Sequence, residues 1–268
     1  MLAFERLGTG PPLVLVHGVG HRRQAWYPVR DQLAEQRELI LVDLPGHGES
    51  DALELGGRPL VEVITGYFRQ FLAEQGLAKA HVAGNSLGGR IALEAGVSGD
   101  ALSVTALSPA GFWRSTKDFA YTRGLFGTVS KLSVRLEPQA QRLSTTVAGR
   151  ATMLGWIIAH PGNIDPERAF GDFQAFRRAQ PALHEIIAGA TRFDGVIPPQ
   201  IPVTIGWGTR DLVLPRYQAN VARQMLPQAR HVWLAGSGHV PMSDDPETVA
   251  RILLDGSNID SSAGCVPQ

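Results

Sequence analysis

Cysteine is almost missing from this chain: Cys265 is the single one in 268 residues. No internal disulfide can form, nothing points to an oxidising compartment, and the cytoplasm is the expected location. Net charge is missing as well, with 25 basic residues against 25 acidic, and lysine supplies only three of the basic ones. No block of like charge is present, so neither an interaction tail nor a nucleic-acid footprint is expected. Long apolar runs are lacking too: no stretch approaches the ~20 residues of a membrane span. The amino terminus, with Glu5 and no apolar segment after it, does not read as a signal peptide. No membrane partner follows from such a sequence. Metal and nucleotide motifs are also absent. There is no H-E-x-x-H, no cysteine pair and no G-x-x-x-x-G-K-[ST], and His17 and His21 straddle glycines, so no metal site is expected. The last four residues, Cys265-Val266-Pro267-Gln268, fit the loose prenylation pattern. No polybasic segment precedes them, and the tail from Gly256 onward reads as a polar, frayed end.

What is present is a foldable composition, 44% hydrophobic and 19% charged, arranged as short apolar runs alternating with helix-length segments. Runs at 13–16, 39–42, 81–83 and 102–107 are each followed by turn residues, as expected of parallel strands covered on both faces. The pattern resumes after Pro202 with a strand at 203–205, a helix over 217–225, a strand at 231–234 and a final helix. Asp244-Asp245-Pro246-Glu247 opens that helix with a capping acid, a proline where its missing N–H costs little, and a first-turn glutamate. Residues 109–199 break the alternation: they look helical and loop-rich and hold ten of the nineteen aromatics. The chain therefore divides into an α/β core, 1–108 and 200–268, and a helical insertion, 109–199. Within the insertion Trp113 and Trp156 are candidate substrate contacts, although aromatics there serve equally well as packing.

Gly84-Asn85-Ser86-Leu87-Gly88 matches G-x-S-x-G, a strained strand-to-helix turn that exposes a serine hydroxyl. The match is weak by itself, but its placement between the run at 81–83 and the helical segment 90–95 is the one such an elbow requires. A serine nucleophile needs a base within reach and an acid to orient that base. Of eight histidines, His239 stands in Gly236-Ser237-Gly238-His239, a flexible loop after the last strand, whereas His21, His160, His184 and His231 lack a setting that aims them at the elbow. Asp211, just beyond the strand at 203–207, completes the chain order Ser86, Asp211, His239. Amide donors for an oxyanion are expected from Leu87, behind the nucleophile, and from Val19 in His17-Gly18-Val19-Gly20.

Together with Asp43-Leu44-Pro45-Gly46-His47-Gly48-Glu49-Ser50, Trp207-Gly208-Thr209-Arg210-Asp211 and Gly238-His239-Val240-Pro241, these motifs resemble the α/β-hydrolase superfamily over nearly the whole chain. The resemblance implies a mostly parallel sheet flanked by helices, a helical cap inserted after the sixth strand, a small-molecule substrate and catalysis without a cofactor. Serine at position 86 is similar to the esterase, lipase, thioesterase, lactonase and carbon–carbon hydrolase branches, and departs from the dehalogenase and epoxide hydrolase branches, which carry aspartate there. Only twelve residues precede Leu13, room for one antiparallel strand near 2–7, so the superfamily's usual first strand is expected to be missing. The reading that results is a serine hydrolase of a small to medium carboxylic ester. Hydrolysis of a carbon–carbon bond in a ring-cleavage product is the alternative reaction, and a ligand-binding receptor with little turnover the alternative of another class.

Overall fold

Alternation with period two on both sides of a sheet explains why the apolar runs become strands. In Pro12–Val16 (β2), Leu13 and Leu15 join one buried cluster while Val14 and Val16 join the other, so neither face can be left to solvent. A computed structural model describes residues 1–77 and 80–258; the terminal Cys265-Val266-Pro267-Gln268 motif lies outside them. The strands are Phe4–Leu7 (β1), β2, Glu38–Val42 (β3), Ala80–Asn85 (β4), Ala101–Leu107 (β5), Val203–Gly208 (β6) and Arg230–Leu234 (β7). They form one seven-stranded sheet in the order β1-β3-β2-β4-β5-β6-β7. Only β1 runs antiparallel, paired with β3 through Phe4↔Val42 to Leu7↔Leu39, as the short segment before Leu13 predicts.

Helices Tyr27–Ala34 (α1), Leu60–Glu74 (α2) and Leu87–Ser98 (α3) alternate with the strands. Between β5 and β6 come Thr116–Leu136 (α4), Ala140–Ser144 (α5), Val147–Leu154 (α6), Pro166–Arg178 (α7) and Gln180–Ala188 (α8), with no strand among them. Tyr217–Met225 (α9), Pro241–Asp244 (α10) and Pro246–Gly256 (α11) complete the chain. None of these helices is long and apolar enough to cross a membrane.

Two expectations near the carboxyl terminus need correction. Asp245 alone caps α11, accepting from Thr248 N at 3.1 Å, whereas Asp244 ends α10 and turns elsewhere. Ser257 is buried and not frayed: its hydroxyl receives Arg37 Nε at 3.0 Å and donates to Leu253 O at 2.8 Å.

Candidate active site

The chain leaves β2 in one direction to form β3 and returns on the other side to form β4, so the loops after β2 and β4 diverge and open a crevice at the carboxyl ends of the strands. Those loops carry Val19 and Ser86. Ser86 sits at φ 56°, ψ −114°, a conformation costly for any side-chain-bearing residue and tolerated where surrounding structure imposes it. The imposition is steric. A Cβ on Gly84 would lie 2.1 Å from Gly88 C, and one on Gly88 would lie 2.0 Å from Val16 O, so only glycine lets strand, helix and neighbouring strand meet around the serine.

Two buried imidazoles brace the opposite wall. Leu44 N donates to His17 Nε2 at 3.0 Å while His17 Nδ1 donates to Gly18 O at 2.7 Å. Gly20 N donates to His47 Nε2 at 2.9 Å while His47 Nδ1 donates to Pro45 O at 2.9 Å. Each ring must therefore be neutral with its proton on Nδ1. Burial enforces this, pushing His17 down to about 4 and His47 down to about 3. The segment 18–20 is thereby pinned against Ser86, close enough that a Cβ on Gly18 would stand 3.0 Å from Ser86 Cβ. Neither Val19 N nor Leu87 N donates to a backbone carbonyl among the described residues, and both residues border the crevice.

The loops after β6 and β7 contribute the other two candidates. Asp211 is buried; its Oδ2 accepts His239 Nδ1–H at 2.8 Å, and its Oδ1 accepts Val213 N at 2.9 Å and Leu214 N at 2.8 Å. Asn85, unassigned by the sequence reading, ties the elbow to the histidine loop by donating from Nδ2 to His239 O at 2.9 Å and to Leu107 O at 3.1 Å. Ser86 and His239 border one cavity. A hydrogen bond between them is not among those of the described residues, a common state of such pairs before substrate is bound.

Ser86 stands where two chambers meet. The first is bordered by His239, Val240, Trp156, Phe173 and Phe176 together with His21 and Asp172. The second is bordered by Leu87, Trp113, Phe119, Ile186 and Val213. Trp113 stacks on Phe119 with centroids 4.4 Å apart, and Trp156 meets Phe126 and Phe176 edge-on, so each indole both packs and lines a chamber. His21, which the sequence reading does not aim at the elbow, borders the same cavity as Ser86. Gly20 at φ 75° turns the chain, and His21 is carried to the cavity wall. Asp172 was missed because nothing in its helical context distinguishes it from a surface acid. Among the described residues no group of three or more His, Cys, Asp or Glu could hold a metal ion.

Comparison with known proteins agrees with this fold. The profile of the alpha/beta hydrolase family matches residues 13–252. An uncharacterised protein of Mycobacterium tuberculosis is 28% identical over 265 residues, covering 94% of this chain and 76% of its own. The pimeloyl-[acyl-carrier protein] methyl ester esterase of Aeromonas hydrophila is 26% identical over 271 residues, covering 94% and 97%. A putative lipase from Acinetobacter baumannii superposes with a TM-score of 0.74 at 23% identity, covering 95% of this chain and 86% of that one, a likeness of fold. The chain belongs to the alpha/beta hydrolase family.

Proposed function

Starting from membership of the alpha/beta hydrolase family, we propose that this protein is a serine hydrolase that cleaves a small to medium carboxylic ester through an acyl-enzyme. The observation that carries the proposal is the buried His239–Asp211 pair, joined at 2.8 Å beside a cavity that Ser86 also borders. Ser86 Oγ attacks the ester carbonyl as His239 Nε2 takes its proton, and the carbonyl oxygen becomes an oxyanion held by the amides of Val19 and Leu87. The bond to the alcohol oxygen then breaks, His239 returns the proton to that oxygen, and water repeats the sequence to free the acid and Ser86. Asp211 keeps the proton on His239 Nδ1, leaving Nε2 bare to act as base. Residues 109–199 act as the cap over a core of 1–108 and 200–268, and Trp113 and Trp156 contact substrate from it. The esterase activity named for the Aeromonas relative supports this chemistry.

Labelling with a fluorophosphonate and turnover of a short-chain aryl ester test the reading. Both are expected of the native protein, and Ser86→Ala should lose the label and about 10⁶-fold in kcat. Labelling without turnover would indicate a binding protein, and substantial turnover by the variant would remove Ser86 from the mechanism.

A further inference from the structure

The first chamber is mostly apolar; besides the elbow and His239, its polar side chains are Ser133, Thr152, His21 and Asp172. Asp172, on α7, is 3% exposed, and His21 is 6% exposed. Both border the chamber, yet neither carboxylate oxygen of Asp172 and neither ring nitrogen of His21 has a hydrogen-bond partner among the described residues. Arg22 Nε lies 3.7 Å from Asp172 Oδ1 and Arg168 Nε lies 3.7 Å from Oδ2. At that distance the guanidiniums balance the charge but leave the lone pairs free. Four such atoms, on two residues that border the same chamber as the nucleophile, are an exception to the rule that buried polar groups are satisfied.

Building on the serine-esterase reading, we propose that Asp172 and His21 form a hydrogen-bonding recess for a hydroxyl group on the leaving alcohol, so that the preferred substrates are partial esters of diols or polyols. The side is set by the chemistry: His239 must hand its proton to the leaving oxygen, so the alcohol occupies the chamber His239 borders. The acyl group then takes the second chamber. The ligand class is set by the recess. A carboxylate would face Asp172, and a cation would meet two arginines against one aspartate. A neutral hydroxyl can donate to Asp172 and exchange a hydrogen bond with His21. Burial raises Asp172 only to about 6, leaving it an ionised acceptor at neutral pH, and pushes His21 down to about 3, leaving a neutral ring with one donor and one acceptor.

The test compares kcat/KM for propyl butanoate, 2,3-dihydroxypropyl butanoate and propyl 3-hydroxybutanoate. Hydroxyls carry their own desolvation cost, so a preference for the diol ester requires partners in the site. The native protein should favour the 2,3-dihydroxypropyl ester over the propyl ester by about 10- to 100-fold, the range of a hydrogen bond to a charged group. Asp172→Ala and His21→Phe should each bring that ratio toward one. A ratio taken within one variant cancels any loss of folded enzyme. A native ratio near one, a ratio untouched by both substitutions, or a preference for the hydroxyl only on the acyl side would overturn the inference while leaving the esterase reading intact. Failure to turn over any of the three, with no fluorophosphonate label, would overturn both.

Discussion

Asp211 divides its two oxygens between two tasks, one orienting His239 and the other closing the turn at Val213 and Leu214. An asparagine there can keep the turn through its carbonyl, but its amide presents a donor to the imidazole and favours the wrong tautomer. Asp211→Asn should therefore lower kcat by about 10⁴-fold with little change in fold, measured by steady-state kinetics beside circular dichroism. Asp244 differs from what its sequence neighbourhood suggests. Its carboxylate receives Ala159 N at 3.1 Å, His160 N at 2.7 Å and Gly238 N at 2.8 Å, so it fastens residues 159 and 160 to the turn that carries His239. Asp244→Asn loses one acceptor from this part-buried set and should cost at least about 1 kcal/mol in denaturant unfolding. Asp245→Asn, which still offers an oxygen to the α11 terminus, should cost under about 1 kcal/mol. Equal costs for the two would mean that Asp244 does no more than a helix cap.

Helices α4 to α8 are fastened to the sheet at several separate places. Tyr121 and Thr122 on α4 donate to Leu212 O and Val213 O at 2.7 and 3.1 Å, beside the turn that Asp211 holds. Val240 N donates to Ile157 O at 3.0 Å, beside His239. Arg90 on α3 reaches Thr191 O and Arg192 O at 2.9 and 3.2 Å. The aromatics are thus held over Ser86 by the loops that carry the other candidate groups, and chamber shape is coupled to the site. Trp113→Leu should shift the preferred acyl-chain length, because Trp113 borders the second chamber. Trp156→Leu should shift preference among leaving alcohols, because it borders the first. A panel varying each half of the ester separates the two, and a uniform rate change across the panel would make both indoles packing alone.

Across the whole molecule, burial keeps four histidines neutral, with His17 and His81 pushed down to about 4 and His21 and His47 down to about 3. Unfolding releases them to a value near 6.5. Their contribution is complete above pH ~6.5 and is lost as pH falls toward 3–4, since only the unfolded chain takes up the protons. Asp172 acts in the opposite sense: raised to about 6 when folded, it binds its proton first in the native state and adds stability as pH falls from 6. Four groups outweigh one, so unfolding free energy from urea titrations should fall as pH drops from 7 to 5, and a flat profile over that range would contradict the burial of these rings. What depends on near neighbours is legible in the order of the residues. Strand periodicity, the crowding that demands glycine at 84 and 88, and the order Ser86, Asp211, His239 are all local or linear properties, readable residue by residue. Only the packed chain brings His21 and Asp172, 151 positions apart, to one chamber without hydrogen-bond partners among the described residues, and turns Asp244 to residues 159 and 160 and not to its own helix. A hydrogen-bond vacancy is a property of everything that fails to come near a side chain, and only the packed chain specifies that.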